Sequence, residues 1–133
     1  MSVLAVKRRQ PMLLALAVSL VAAHSTVLGI TLIAAPATLL SFFGWSIDCH
    51  SFFLQQAGLF HILLGAFYAI EFFAYSRVRM LLIAKVSAVL FLSAQYVWSV
   101  REPGVLLSNC VDAGMAIVVG VLWWRAAGSK AAV

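Results

Sequence analysis

Long runs of apolar residues, separated only by short polar stretches, fill most of this 133-residue chain. Each run reaches or slightly exceeds the ~20 residues that a helix needs to cross the hydrocarbon core of a bilayer, at ~1.5 Å per residue. A soluble domain would instead show polar faces with a helical or strand period. The pattern therefore predicts four transmembrane segments, at residues 12–35, 52–75, 80–100 and 103–124.

The connections between these segments predict how they are arranged. Only helices and closed barrels satisfy backbone hydrogen bonds in lipid, and runs this long and continuously apolar are not barrel strands. The connections at 76–79 and 101–103 are so short that the last three spans must be antiparallel neighbours. Pro36 closes the first span and opens a short interfacial helix, with Gly44 as its stop. We predict an all-α fold, a single transmembrane domain over residues 1–133 that forms an up-down-up-down four-helix bundle.

Pairs of small residues spaced four apart predict where the helices approach one another closely. Such pairs let two backbones come together, and they indicate helix contact rather than chemistry. They occur in spans 1, 2 and 4, as Ser25-x-x-x-Gly29, Gly65-x-x-x-Ala69 and Ala116-x-x-x-Gly120.

Composition and charge place the chain in a bilayer and predict its orientation. Mean hydropathy is +1.08 and only 10% of the residues are charged, so most of the protein surface is predicted to face lipid. The net charge of +5 comes from basic residues gathered on one side of the predicted spans, with only Arg101 on the other. This asymmetry predicts that both termini face the cytoplasm, or the matrix or stroma of an organelle, and it argues against nucleic-acid binding. The residues on the basic side are Lys7, Arg8, Arg9, Arg77, Arg79, Arg125 and Lys130.

Two ionisable residues are predicted to pair inside the membrane. An ionisable group in a span costs several kcal/mol on insertion scales, so it needs a partner or a purpose. Glu71 lies about a turn from the inner end of span 2, and Lys85 lies at a similar depth in span 3. A structural Glu71–Lys85 ion pair is the simplest interpretation, and the alternatives are a proton-carrying or ligand-binding role, or a Lys85 that extends alone to the interface.

Span 3 also carries a polar stripe that is predicted to face the bundle interior. Its members recur at helical spacing, and they are Lys85, Ala88, Leu92, Gln95 and Ser99. Near the outer end, Gln95 is level with Asn109 of span 4, and with Gln55 or Gln56 of span 2. Hydrogen bonds between these amides would stabilise helix contacts, and the same groups could also line a binding pocket.

Three groups nearer the middle of the membrane form the strongest candidate site: His24 of span 1, His61 of span 2 and Asp112 of span 4. If all three point inward they meet, and a carboxylate beside a histidine fixes its tautomer. Asp112 could then simply lock the bundle, or the cluster could form a ligand pocket or a proton relay. Two histidines on different transmembrane helices can also ligate a b-type haem, although the glycines that commonly make room for the macrocycle are missing.

No sequence motif supports an enzyme. The chain has no nucleophile elbow, P-loop, dinucleotide fingerprint or H-E-x-x-H. Asp48-Cys49-His50 has adjacent ligands rather than the spacing of a structural zinc site, so no metal site is predicted. The sequence leans away from catalysis, and it names no cofactor.

A loose pattern of residues between positions 34 and 124 is shared with a known group of proteins. It consists of Pro36, Phe43-Gly44, Gly58-Leu59-Phe60-His61, Gly65, Lys85 and Asp112. In these residues the chain resembles the DoxX-like small four-helix membrane proteins. Members commonly carry a basic residue near the start of span 2, where this chain has Gln55-Gln56. The resemblance implies a four-helix membrane fold and assembly into complexes, with no assigned reaction.

Two functional hypotheses follow. The first is a non-catalytic accessory subunit or assembly partner of a larger membrane complex, with other subunits or further copies of the chain as partners. The second is a membrane protein that binds a lipid, quinone or sterol-like molecule, and that could act on it, in a pocket formed by His24, His61, Gln95, Asn109 and Asp112.

Overall fold

The computed structural model describes residues 11–44 and 51–128, and all the regular secondary structure in these two stretches is helical. The elements in chain order are α1 (Met12–Ala34), α2 (Pro36–Phe42), α3 (Ser51–Tyr75), α4 (Arg79–Trp98) and α5 (Pro103–Gly128). All except α2 are long and apolar enough to cross a membrane. The predicted all-α fold with four long apolar helices is confirmed, and the short helix predicted after the first span is α2.

The break between α1 and α2 has a local cause. Ala35 has φ −145° and ψ 57°, outside the helical region, because the ring of Pro36 disfavours a helical conformation in the residue before it. Pro36 then occupies the first turn of α2, where its missing N–H costs no hydrogen bond. Gly44 follows α2 with a φ of 67°, a left-handed conformation that glycine adopts without strain. The sequence prediction for this segment was correct at both of its ends.

The other helix ends differ slightly from prediction. α4 ends at Trp98 rather than at residue 100, and α5 continues to Gly128 rather than ending at residue 124. Arg125 lies in the last turn of α5, where a cation is favourable beside the unpaired carbonyls of a helix C-terminus. Hydropathy marks where an apolar stretch ends, and a helix can continue beyond that point into the interface.

The four long helices form two tightly packed pairs. α1 packs most extensively on α3, and α4 packs most extensively on α5. Smaller contacts of α1 with α5 and of α3 with α4 close the ring. The space between the two pairs is therefore the natural place for a cavity.

Glycines bring α1 and α3 together. A β-carbon added to Gly58 would lie 2.6 Å from the carbonyl oxygen of Gly29 and 2.8 Å from Cγ1 of Ile33. A β-carbon at Gly65 would collide with the hydroxyl of Thr26. The small-residue pairs predicted in spans 1 and 2 thus lie at a close contact, to which the structure adds Gly58.

The third predicted small-residue pair makes no such contact. A β-carbon on Gly120 would meet only Cδ2 of Leu82, at an ordinary distance of 3.8 Å. α5 therefore approaches α4 through side chains rather than backbone to backbone at this position.

The buried core fills one end of the bundle. We call this the basic end, because Arg77, Arg79 and Arg125 lie there, at the 76–78 connection and the end of α5. The opposite end, with α2 and the 99–102 connection, is called the cavity end. The core at the basic end consists of Leu14, Val18, Val21, Ala22, Tyr68, Phe72, Val78, Leu81 and Val119.

Candidate functional site

A cavity of about 380 Å³ lies between the two helix pairs, in the half of the bundle nearer the cavity end. All five helices contribute to its wall. Most of the lining is apolar, and the polar members come from three of the long helices. The lining residues are His24, Leu28, Leu32, Leu39, Leu40, Phe43, Leu54, Ala57, His61, Phe91, Leu92, Ser108, Val111 and Asp112.

The structure places the three predicted mid-membrane groups on this one cavity. His24 of α1, His61 of α3 and Asp112 of α5 all line it. His61 is half-buried, whereas His24 is exposed. Their convergence is therefore a property of the fold, while their role in binding a ligand stays a prediction.

Lys85 pairs with Asp112, and the predicted Glu71–Lys85 pair is wrong. Nζ of Lys85 donates a hydrogen bond of 2.6 Å to Oδ1 of Asp112, and the two side chains are 6% and 16% exposed. Glu71 lies on α3 and Asp112 lies on α5, and α4 packs far more closely on α5 than on α3. The depth of each residue along its span was therefore insufficient to predict the partner of Lys85, because the rotation of each helix about its axis decides which side chains meet.

Glu71 has a different structural role. Its carboxylate accepts hydrogen bonds from the backbone N–H groups of Arg79, at 3.1 Å, and of Met80, at 2.9 Å. These amides open α4, whose N-cap residue Val78 makes no side-chain capping bond. A carboxylate at a helix N-terminus satisfies unpaired donors and interacts favourably with the helix dipole. Glu71 is thus a cap supplied from the end of the preceding helix.

The predicted amide cluster is rearranged. Nδ2 of Asn109 donates to the hydroxyl of Ser93 at 2.9 Å, whereas the prediction placed Asn109 beside Gln95. The Oδ1 atom of Asn109 is buried without a hydrogen-bond partner. Gln95 is half-buried, and neither it nor Asn109 is among the described residues that line the cavity.

The remaining residues of the predicted polar stripe are divided between interior and surface. Lys85 is buried, Ala88 and Leu92 are half-buried, and Ser99 is exposed. Leu92 is the stripe residue that lines the cavity. Gln55 and Gln56, which could have joined the amides, are both exposed on α3.

Two features of the site were not predicted from the sequence. The first is that α2 forms part of the cavity wall, through Leu39 and Leu40, together with Phe43 just after it. The second is Tyr68, which is 2% exposed and lies within electrostatic range of Asp112. An apolar residue that lines a cavity has the same sequence signature as one that faces lipid, so α2 gave no signal. Tyr68 did carry a sequence signal, because it places a polar hydroxyl within an apolar run.

The electrostatics of the site are those of a nearly neutral cluster. Both histidines lie within electrostatic range of Lys85 and of Asp112, whose opposite charges act on each imidazole in opposite senses. Because Lys85 and Asp112 are in direct contact, their charges largely cancel for anything that enters the cavity. What the cavity offers a ligand is hydrogen bonding rather than net charge.

Neither a metal ion nor a haem gains support from this geometry. No group of three or more His, Cys, Asp or Glu side chains among the described residues could hold a metal ion. Residue 49 and its neighbours in Asp48-Cys49-His50 lie outside the part of the chain that the structure describes, whereas Cys110 is exposed on α5. The described residues that line the cavity include no glycine, the residue that commonly makes room for a macrocycle opposite haem-ligating histidines.

Comparison with models of known protein families, with curated proteins and with solved structures finds no match to this chain. Its four apolar helices identify it as a small polytopic integral membrane protein.

Proposed function

We propose that this membrane protein binds a lipophilic small molecule in the cavity between its two helix pairs. The observation that carries the proposal is the presence of His24, His61 and Asp112 together on the wall of one otherwise apolar cavity. Ligand sites are typically concave and apolar, with a few polar groups that fix the orientation of the ligand, and they span roughly 300–1,000 Å³. Ionisable residues inside membrane spans are also functional candidates by default.

The position of the cavity in the fold supports the same proposal. The core at the basic end is closely packed, with Val18 and Val119 fully buried, whereas the half nearer the cavity end encloses about 380 Å³. A bundle that needed only to be stable would gain by filling that volume, because empty space forfeits packing contacts. The cavity is therefore better explained by an occupant. A reaction on that occupant is not part of the proposal.

An accessory subunit of a larger membrane complex is the second candidate function. Gln55 and Gln56 favour it, because both amides are exposed on the outward surface of α3 in a chain whose surface is otherwise mostly apolar. Side-chain amides that point away from a bundle can hydrogen-bond across to another helix. The same residues lie in the first turns of α3, where they could also meet lipid headgroups.

Two further assignments belong with this proposal. The residues that carry the resemblance to DoxX-like proteins include Gly58 and His61, which lie at the α1–α3 contact and on the cavity, and we propose kinship with that group. The distribution of basic residues supports an orientation in which the basic end and both termini face the cytoplasm, matrix or stroma.

Native mass spectrometry of the protein, extracted gently from its own membrane, separates the two candidate functions. The proposal predicts the 14.4 kDa chain, or a small homo-oligomer, carrying a defined small-molecule mass. Co-purifying polypeptides at a fixed ratio, with no small-molecule mass on the chain, would favour the accessory-subunit role and overturn the proposal.

A further inference from the structure

Three of the four polar residues that line the cavity lie near the middle of the bundle's length, and the lining nearest the membrane surface is apolar. His24, His61 and Asp112 border the packed core, whereas Leu39 of α2 and Phe43, which follows α2, border the cavity end. An ordinary membrane lipid is oriented the other way, with its polar head at the surface. Building on the proposed function, we propose that the cavity takes an uncharged lipophile, inserted with a hydroxyl or carbonyl group towards His24, His61 and Asp112.

Charge excludes the other classes of amphiphile. Asp112 is the one charged residue among the described residues that line the cavity, and Lys85 already neutralises it at 2.6 Å. An ammonium head would have to compete with Lys85 for the same carboxylate, and a carboxylate or phosphate head would meet a second anion. Either ion would also lose its hydration on entry, a cost that a buried site repays only with an unused opposite charge.

The hydrogen-bonding capacity of the cluster matches an uncharged head. A neutral imidazole offers one donor and one acceptor, and an ionised carboxylate offers acceptors only. His24 and His61 can therefore donate to a carbonyl or hydroxyl oxygen, and Asp112 can accept from a hydroxyl. The hydroxyl of Ser108, one helical turn from Asp112 on α5, adds a group that can do both. A plain hydrocarbon would offer none of these groups a hydrogen bond.

The route of entry also favours a molecule dissolved in lipid. Phe91 of α4 and Val111 of α5 line the cavity and are 62% and 36% exposed on the outer surface of the bundle. Both residues belong to the α4–α5 pair, whose contacts with the α1–α3 pair are less extensive than the contacts within each pair. Cavity-lining side chains that are this exposed favour entry sideways from the hydrocarbon layer, where uncharged lipophiles concentrate and ions do not.

The test is a matched series of four probes that share a chain and differ in the head: decanol, decanoic acid, decylamine and decane. The purified full-length protein is placed in nanodiscs, and the concentration dependence of its melting temperature gives an apparent affinity for each probe. Partitioning into protein-free nanodiscs corrects for the different solubility of the probes in lipid. We expect decanol to bind best, by roughly two- to tenfold over decane for each hydrogen bond gained.

His61→Leu provides the matched variant, because it keeps the bulk of the side chain and removes its hydrogen bonds. We expect the preference for decanol over decane to fall by roughly two- to tenfold in this variant, as for the loss of one hydrogen bond, whereas Ser87→Ala, on the exposed face of α4, should retain the full preference. An unchanged preference in His61→Leu, or an equal loss of preference in both variants, would overturn the assignment of the head to the polar cluster.

The probes also separate this inference from the function on which it rests. Tighter binding of decanoic acid or decylamine than of decanol would overturn the uncharged head and leave ligand binding intact. Equal binding of all four probes would overturn any role for the polar cluster. Failure of all four to shift the melting temperature would count against the proposed function itself.

Discussion

At the scale of single residues, the pair formed by Lys85 and Asp112 explains how two charges are tolerated between apolar helices. Each side chain neutralises the other at 2.6 Å, so neither charge faces lipid alone. Such a pair adds little net stability, since removing both charges is often neutral, but breaking it leaves an uncompensated buried ion.

Asp112→Asn should therefore destabilise the protein by about 3–5 kcal/mol, because Lys85 loses its counter-ion in a buried position. The double variant Lys85→Met, Asp112→Asn should recover most of that loss. The free energy of unfolding in detergent or nanodiscs measures both effects. Equal stability of the single variant and the natural protein would mean that Lys85 reaches the interface and needs no partner.

Glu71 is predicted to act on the N-terminus of α4 and not on Lys85. Glu71→Ala should cost about 0.5–2 kcal/mol of unfolding free energy, as expected for the loss of a helix cap. Exchanging the two charges, as Glu71→Lys with Lys85→Glu, should recover nothing, because each new charge would meet the wrong partner. Recovery of stability in that exchange variant would restore the Glu71–Lys85 pair in place of the arrangement described above.

At the scale of the elements, the contact between α1 and α3 is set by glycine. Gly58 and Gly29 bring the two backbones together, and the core and both cavity histidines are held in place by that approach. Backbone contact of this kind is a main source of helix association in membranes, where lipid is as apolar as the side chains.

Gly58→Ala should destabilise the bundle by roughly 1–3 kcal/mol, because the new β-carbon would lie 2.6 Å from the Gly29 carbonyl and force the helices apart. Gly114→Ala on α5 is the control. A β-carbon at Gly114 meets no other atom, so this variant should be neutral, or more stable by up to about 1 kcal/mol from helix propensity. Equal effects of the two substitutions on thermal unfolding would contradict the close approach of α1 and α3 at Gly58.

The elements also show how far prediction from sequence could reach. Pro36, Gly44 and the long apolar runs are local signals, and they correctly predicted α2 and the four long helices. The helices are apolar on nearly all sides, with large apolar residues both buried and exposed, so no stripe revealed which face of each helix turns inward. The depth of each residue along its span could be estimated from the sequence, and these depths brought His24, His61 and Asp112 together. The rotation of each helix about its own axis could not be estimated, and Lys85 was therefore assigned the wrong partner.

At the scale of the whole molecule, the bundle has two different ends. The basic end is filled by a core, and the cavity end is open enough to hold a small molecule. Because the ionisable cluster lies where the two halves meet, the packed half can hold the polar groups rigidly while the other half admits a ligand. Rigid support of this kind is what a binding site needs in order to orient its ligand.

The orientation of the molecule can be tested with Ser76→Cys and Ser99→Cys, made separately in a background in which Cys49 and Cys110 are serine. Both serines are exposed, and they lie at opposite ends of the bundle. In intact cells or sealed organelles, a membrane-impermeant maleimide should label the Ser99→Cys variant and spare the Ser76→Cys variant. The reverse labelling pattern would place the basic end on the outer side.

The central claim, that the cavity holds a ligand, is tested most directly by native mass spectrometry of two variants on one helix. Ala57→Phe fills the cavity from α3, and Ala74→Phe adds the same ring to the exposed surface near the other end of α3. We predict that the small-molecule mass carried by the natural protein persists in Ala74→Phe and disappears in Ala57→Phe. The same mass on a folded Ala57→Phe protein would show that the ligand lies elsewhere and would contradict the account.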